Sequence, residues 1–400
     1  MKKHLLLLLF CPAVLFSQDY TSYFTGNNND LDINALGGIC LMGGATENDQ
    51  AMIWFLAKAN GGDVLILRAS GSDGYNDYFY SDLNVSINSV ETIVFNNSNA
   101  SNDPYILNKI AQAEAIWFAG GDQWNYVSYW RNTPIATAIN DAISNRNIVI
   151  GGTSAGMAIL GQYYFSAQNG SVTSNAALSN PFNTNVTVDG TAFLENEILS
   201  ETITDTHFDN PDRKGRLTSF LARIYTDYGV LGKAIACDEY TAVCIEPNGL
   251  ARVFGGFPNY DDNAYFIQTN CELTNPSPEN GSPNTPLTWH HNGQALKVYQ
   301  VKGTPDGNNT FDLNLWETGN GGAWKHWSAQ NGNFLETNGT PINCEPLSNN
   351  TFNKKPIVGF PNPTRGKFTL SNIHTEINSF DLKVFTLLGQ EIKNASFSRT

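Results

Sequence analysis

Short apolar runs alternate with amphipathic stretches over residues 38–161. Residues 38–44 (Gly-Ile-Cys-Leu-Met-Gly-Gly) predict a strand running into a Gly turn, and residues 48–59 a helix with Ala51, Trp54, Phe55 and Ala59 along one stripe. Further strands are expected at 64–67, 92–95 and 115–118, with helices near 105–112, 124–130 and 135–144. Short apolar strands spaced by helices predict a parallel sheet covered on both faces, with function gathered at the carboxyl ends of its strands.

One of those ends has the shape of a nucleophile. Residues 147–161 read Asn-Ile-Val-Ile-Gly-Gly-Thr-Ser-Ala-Gly-Met-Ala-Ile-Leu-Gly, a β-branched run followed by G-x-S-x-G and then by helix formers. Small residues around Ser154 let the backbone bend tightly enough to lift its hydroxyl above the sheet. A chain with 35 glycines produces this pattern by chance fairly often, so the strand before it and the helix expected after it carry the argument. Two other strand ends are rich in Gly and Ser. Gly120-Gly121-Asp122-Gln123 follows the strand at 115–118, where glycines bring backbone N–H groups close to a ligand, and Arg68-Ala69-Ser70-Gly71-Ser72-Asp73 follows the strand at 64–67. The aromatic residues Trp124, Tyr126, Tyr129 and Trp130 beside Gln123 read as helix packing.

A serine nucleophile needs a base, and six histidines can be taken one by one. His4 and His374 lie in the end segments, His290-His291 read as surface residues of a strand, and His326 sits between Trp324 and Trp327. His207, in a polar segment after the elbow with apolar anchors, is the best placed. The third member is a carboxylate that orients the imidazole. Asp238-Glu239, between the apolar runs 234–237 and 241–245, offers two choices.

The ends of the chain carry different signals. Residues 1–18 have a charged start, an apolar core at 5–10 and a small residue before a plausible cut, which predicts a secretory signal peptide rather than a membrane span. Its loss lowers Lys+Arg from 23 to 21 against 37 Asp+Glu, a net charge of −16. That balance argues against nucleic acid or anionic lipid as a partner and is compatible with cationic substrates. Five cysteines remain: Cys40, Cys237 and Cys244 sit in apolar contexts, as small hydrophobes do, while Cys271 and Cys344 lie in polar segments suited to pairing. No metal-ligand spacing is present, and no cofactor is expected.

Taken together, Gly120-Gly121-Asp122-Gln123, Gly152-Thr153-Ser154-Ala155-Gly156, Asp205-x-His207-Phe208, Arg213-x-x-Arg216-Leu217 and Asp238-Glu239-x-Thr241-Ala242 resemble, in order and spacing, the cyanophycinase and dipeptidase E family of serine peptidases. The resemblance covers roughly 36–255. It implies an α/β fold of the class I glutamine amidotransferase-like (flavodoxin-like) type with a mostly parallel sheet. It implies Ser154 as nucleophile, His207 as base and Glu239 as its partner. Backbone N–H groups at Gly121 and Ala155 would hold the oxyanion, while Gln123, Asp205, Arg213 and Arg216 would line the substrate site. The substrate that the resemblance implies is an aspartyl or β-Asp-Arg peptide, cyanophycin being the family's polymer, and Arg213 and Arg216 suit a substrate carboxylate because a guanidinium binds one in a bidentate fork. Thr206 and Pro211 depart from the family pattern, which has Gln before the His and Arg four residues after it, so another aspartyl or isoaspartyl peptide stays open. Two other classes also stay open: an esterase with the same elbow, which would tolerate loss of Arg213 and Arg216, and a binding protein on an inactive scaffold.

Beyond residue 256 the character changes. Residues 270–286 are rich in Asn, Pro, Ser and Gly, and strands are expected at 296–301, 311–315 and 324–327. Residues 356–366 open a last section, with strands at 367–370 and 380–385. Pro-Asn-Pro-Thr and Val-Phe-Thr-Leu-Leu-Gly-Gln resemble the sorting domain of type IX secretion, which implies the secretion machinery as a partner and delivery to the cell surface or medium. The tail reaches Thr400 short of the closing strands such domains have, so a truncated or atypical copy is expected. The expected organisation is therefore a signal peptide (1–18), a peptidase domain (19–270), a linker and β extension (271–347) and a small C-terminal β domain for sorting (348–400).

Overall fold

The computed structural model describes residues 18–344 and, beyond them, the backbones of four tail strands; residues 1–17 of the expected leader and the Pro-Asn-Pro-Thr segment at 361–364 lie outside the described residues. The strands run in chain order as β1 (Tyr20–Gly26), β2 (Gly38–Met42), β3 (Asp63–Arg68), β4 (Ser89–Phe95), β5 (Ala115–Phe118) and β6 (Val149–Thr153). Then come β7 (Tyr164–Phe165), β8 (Val188–Asp189), β9 (Thr202–Asp205), β10 (Lys233–Cys237), β11 (Ala242–Ile245) and β12 (Leu250–Phe254). The series continues with β13 (Asn263–Thr269), β14 (Leu296–Lys302), β15 (Asn309–Asp312), β16 (Gly319–Asn320), β17 (Gly322–Gln330) and β18 (Asn333–Asn338). The helices are α1 (Asp49–Lys58), α2 (Pro104–Gln112), α3 (Gln123–Trp130), α4 (Pro134–Arg146), α5 (Ala155–Ala158), α6 (Ser174–Ser179) and α7 (Lys214–Tyr228).

The fold is mixed α/β around a large central sheet of order β1-β4-β3-β5-β6-β2-β11-β12-β15-β16. Its block β4-β3-β5-β6-β2 is parallel, and the flanking strands are antiparallel. Because β2, β5 and β6 are parallel neighbours, the segments after them, Gly43-Gly44, Gly120-Gly121 and Ser154, emerge side by side. A second sheet, β18-β17-β14-β13-β10-β9, is antiparallel except where β9 meets β10. That one parallel pair sends residues 206–207 and 238–239 out in the same direction.

Apolar burial fixes these layers. On one face of the central sheet Trp117 meets Phe55 of α1 at 5.1 Å and Phe79 at 6.1 Å. On the other, Ile106, Ile110, Tyr126, Trp130 and Ile139 from α2, α3 and α4 pack on Leu65, Ile93, Ile116 and Ile150. Phe220, Leu221 and Ile224 of α7 cover the second sheet. Side-chain caps set the helix starts, Asn48 accepting from the backbone N–H of Gln50 and Ala51, and Asp122 from that of Trp124.

Three features differ from the sequence expectation or extend it. The segment after the expected leader forms β1, an edge strand whose side chains are only partly covered, so its apolar alternation is weak. The helix expected after the elbow is a single turn, closed at Ile159. Residues 296–338 supply β14, β17 and β18 to the second sheet, β14 pairing directly with β13, and lie in one compact unit with the preceding residues. Cys40, Cys237 and Cys244 are buried free thiols, and Cys271 and Cys344 are both disulfide-bonded. In the tail unit, Cys344–Thr400, β19 (Val358–Phe360) pairs with β20 (Thr369–Ser371), and β21 (Ser379–Phe385) with β22 (Glu391–Ser398), both antiparallel.

Candidate active site

β6 ends at Thr153, and the chain reverses at Ser154 with φ 52° and ψ −118°. An L-residue held there stores about 1–3 kcal/mol of strain, and the flanking glycines make the turn possible. A Cβ at Gly152 would lie 2.6 Å from the Gly156 carbonyl carbon, and one at Gly156 would lie 2.1 Å from the Phe118 carbonyl oxygen. The G-x-S-x-G spacing is thus a steric requirement of laying the start of α5 across β5 and β6.

The imidazole arrives from the loop after β9. His207 has φ 45°, its N–H donates to the Gly43 carbonyl at 2.8 Å, and the Phe208 N–H donates to the Cys237 carbonyl at 3.1 Å. Phe208 is buried against Tyr265 and Trp327, which anchors the loop. Ser154 Oγ lies 2.8 Å from His207 Nε2, and His207 Nδ1 lies 2.6 Å from Glu239 Oε1. With Nε2 accepting from the serine, Nδ1 carries the proton and donates it to the carboxylate. Asn210 Nδ2 donates to Glu239 Oε2 at 3.3 Å, and the Glu239 N–H donates to Asp209 Oδ1 at 2.9 Å, so the histidine's own loop also holds the acid. The hydrogen bond from His207, helped by Asn210, keeps Glu239 below the usual carboxylate range against the opposing effect of burial.

Of the acidic pair, the geometry selects Glu239. Asp238 turns inward, where its Oδ2 accepts from the Asn263 backbone and side-chain amides at 3.1 and 2.9 Å. Burial pushes its carboxyl up to about 7, the Asn263 hydrogen bonds opposing that rise.

Gly44 is the contact that sequence reasoning missed, since a Gly pair after a strand signals only a turn. It has φ +116°, and a Cβ there would lie 2.4 Å from His207 Nε2. Gly44→Ala is therefore expected to displace the ring and lower kcat about a hundredfold, the scale of a 1 Å misplacement, with the circular dichroism spectrum unchanged.

A cleft of about 440 Å³ opens in front of Ser154, lined among others by Gly121, Gln123, Trp124, Phe165, Ser171 and Arg213. Gln123 Nε2 reaches the Phe165 carbonyl at 3.4 Å. The two arginines differ from the expectation that both are available to a substrate carboxylate. Arg216 is buried, its Nε 2.9 Å from Asp205 Oδ2 and its Nη2 on Asp205 Oδ1, so Asp205 and Arg216 are committed to each other at the cleft wall. Arg213 donates from Nη1 to the Thr206 carbonyl at 2.8 Å and makes no ion pair among the described residues. Burial and the neighbouring Arg216 lower its pKa to about 10, so it remains a cation at neutral pH.

The model of peptidase family S51 matches residues 41–250, more than half of the chain. The chain belongs to peptidase family S51. The S51 match contains Gly44, Gly121, Ser154, His207, Arg213 and Glu239, and the class that membership carries is a serine-type peptidase, a hydrolase of peptide bonds. Among curated proteins the chain is similar to a cyanophycinase of Trichormus variabilis, 28% identical over 176 residues, which cover 44% of this chain and 52% of the relative. A cyanophycinase of Synechococcus elongatus is 25% identical over 227 residues, 55% of this chain and 66% of the relative. The chain thus spans about half to two thirds of the length of these relatives. Among solved structures it is similar to a peptidase from an acI-B1 Actinobacterium, at a TM-score of 0.43 and 14% identity over 70% of this chain and 98% of that one.

Proposed function

We propose that this S51 protein is a secreted serine peptidase that hydrolyses aspartyl or β-aspartyl peptide bonds. The observation that carries the reading is the unbroken chain Ser154 Oγ, His207, Glu239 at the mouth of a polar cleft. In the proposed mechanism Ser154 Oγ attacks the peptide carbonyl carbon while His207 Nε2 takes its proton. The resulting oxyanion faces the backbone N–H groups of Gly121 and Ala155. The C–N bond then breaks, and His207 passes the proton to the leaving amine. Water attacks the acyl ester, gives a proton to His207 and releases the acid as Oγ regains that proton. Ionised Glu239 stabilises the imidazolium formed in both halves.

For the substrate, support comes from Arg213, a desolvated cation in the cleft without a carboxylate partner among the described residues, and from the cyanophycinase names of the relatives. Cyanophycin is one candidate among aspartyl peptides, and Thr206 and Pro211 leave room for another. We also propose the class I glutamine amidotransferase-like form of the sandwich and a type IX sorting role for the tail, on the sequence resemblances above, and a signal peptide at the start, on the charged and apolar pattern of residues 1–18.

The test is hydrolysis of cyanophycin, β-Asp-Arg, α- and β-aspartyl dipeptides and an ester control by wild type, Ser154→Ala and Arg213→Met. The reading expects aspartyl peptide cleavage that vanishes in Ser154→Ala, and a kcat/KM at least tenfold lower in Arg213→Met for substrates with a free carboxylate. Ester turnover alone, indifferent to Arg213→Met, would make the protein a different hydrolase.

A further inference from the structure

Tyr126 has no part in the chemistry just described, yet its phenol sits against the backbone that carries it. The residue lies on α3, is fully buried and stacks on Trp130 with ring centroids 4.6 Å apart. Ring packing alone would be served by Phe. The hydroxyl is instead 2.8 Å from the carbonyl of Ala119 and 3.1 Å from the carbonyl of Gly120, the two residues that follow β5. Burial raises the phenol's pKa, against which the Arg68 charge and a hydrogen bond from the Ala69 backbone act, so it stays protonated and donates.

The consequence follows from peptide planarity. In a trans peptide the C=O and the next N–H point in opposite directions, and the cis bonds among the described residues are elsewhere, before Pro211 and Pro258. With the carbonyls of Ala119 and Gly120 turned toward the phenol, the N–H groups of Gly120 and Gly121 turn away from it. Neither N–H has an intramolecular acceptor among the described residues. Gly121 lines the cleft, and the Cβ position of Gly120 is 3.5 Å from Ser154 Cβ. Gly121 has φ +151°, and its Cβ position is 3.4 Å from both the phenol oxygen and Ser70 Oγ, so the turn packs directly against the hydroxyl.

We infer that Tyr126 is a positioning residue which, through its phenol, fixes the two peptide planes of this turn and so aims the Gly121 N–H, the donor that acts with that of Ala155, at the oxyanion formed on the carbonyl attacked by Ser154. The inference rests on the serine peptidase reading above and adds to it a residue that touches neither substrate nor nucleophile. Loss of the phenol leaves the Gly turn free to rotate its peptide planes, and oxyanion donors act on the transition state more than on the bound substrate. The signature is a fall in kcat with KM preserved.

The experiment compares wild type, Tyr126→Phe and Trp130→Phe, with Ser154→Ala as blank, in aspartyl peptide hydrolysis and in the rate of Ser154 labelling by a fluorophosphonate, whose phosphoryl oxygen occupies the same donors. Tyr126→Phe is expected to lower kcat and labelling rate by the same factor, about tenfold, with KM changed less than twofold. Trp130→Phe, which disturbs the stacked ring and keeps the phenol, is expected to lower Tm while leaving kcat within twofold. Tyr126→Phe with wild-type kcat and labelling would overturn the inference and leave the peptidase reading standing. Equal losses in kcat in both variants would also overturn it, reducing Tyr126 to packing. A wild type that neither hydrolyses the peptides nor labels at Ser154 would overturn the peptidase reading, and the inference with it.

Discussion

Ser154→Ala and His207→Ala are each expected to lower kcat by about a millionfold, and the double variant by no more than either alone. The reason is that the 2.8 Å contact makes one functional unit of two side chains: without the base the hydroxyl is a poor nucleophile, and without the hydroxyl the base has no proton to take. Glu239→Gln should cost less, about ten-thousandfold, because it leaves a hydrogen-bonding group beside Nδ1 but removes the charge that stabilises the imidazolium. Glu239 is held below the usual carboxylate range, so it stays ionised as pH falls through values at which an unassisted carboxyl would protonate. Steady-state kinetics at enzyme concentrations set by absorbance measures all four variants against wild type. Losses that multiply in the double variant would mean that Ser154 and His207 act independently.

Arg216→Met is expected to destabilise the fold by about 3–5 kcal/mol, more than any other single change at the cleft wall. Arg216 and Asp205 are 4% and 2% exposed, and removal of the guanidinium leaves a buried carboxylate with the Thr206 N–H as its remaining donor among the described residues. A charge so placed either stays unpaired at high cost or takes up a proton. Replacing both partners, as in Asp205→Leu with Arg216→Met, should recover most of that loss, because an apolar pair of similar volume avoids desolvating two charges. Denaturant titration of the two variants decides the matter. A single variant as stable as wild type would show that water or a proton satisfies Asp205 once Arg216 is gone, so that the pair does not hold the fold.

The parallel block was legible because its strands are buried on both faces, which makes 64–67, 92–95 and 115–118 continuous apolar runs between amphipathic helices. The elbow was legible because its small residues answer a steric demand that few other residues meet. β1 was hidden by its half-covered edge position, where Tyr20, Tyr23 and Phe24 keep no two-residue alternation and no residue is fully buried. The Asp205–Arg216 pair was hidden for a different reason: spacing locates a guanidinium on a helix but not the carboxylate it meets across a loop. Gly44 and Tyr126 act through a 2.4 Å steric limit and through backbone carbonyls, neither of which leaves a residue pattern. The residues alone left Asp238 and Glu239 open and the family resemblance pointed to Glu239; the Asn263 amides, on a strand distant in sequence, give the physical reason, because they hold Asp238 inward.

Covalent catalysis by Ser154 is tested by acid-quenched mass spectrometry of the enzyme during turnover of an activated aspartyl ester. An aspartyl adduct is expected on the peptide containing Ser154, forming within the first turnover, decaying as substrate is exhausted and absent from Ser154→Ala. Turnover with no adduct on that peptide, or an adduct that persists in Ser154→Ala, would contradict it.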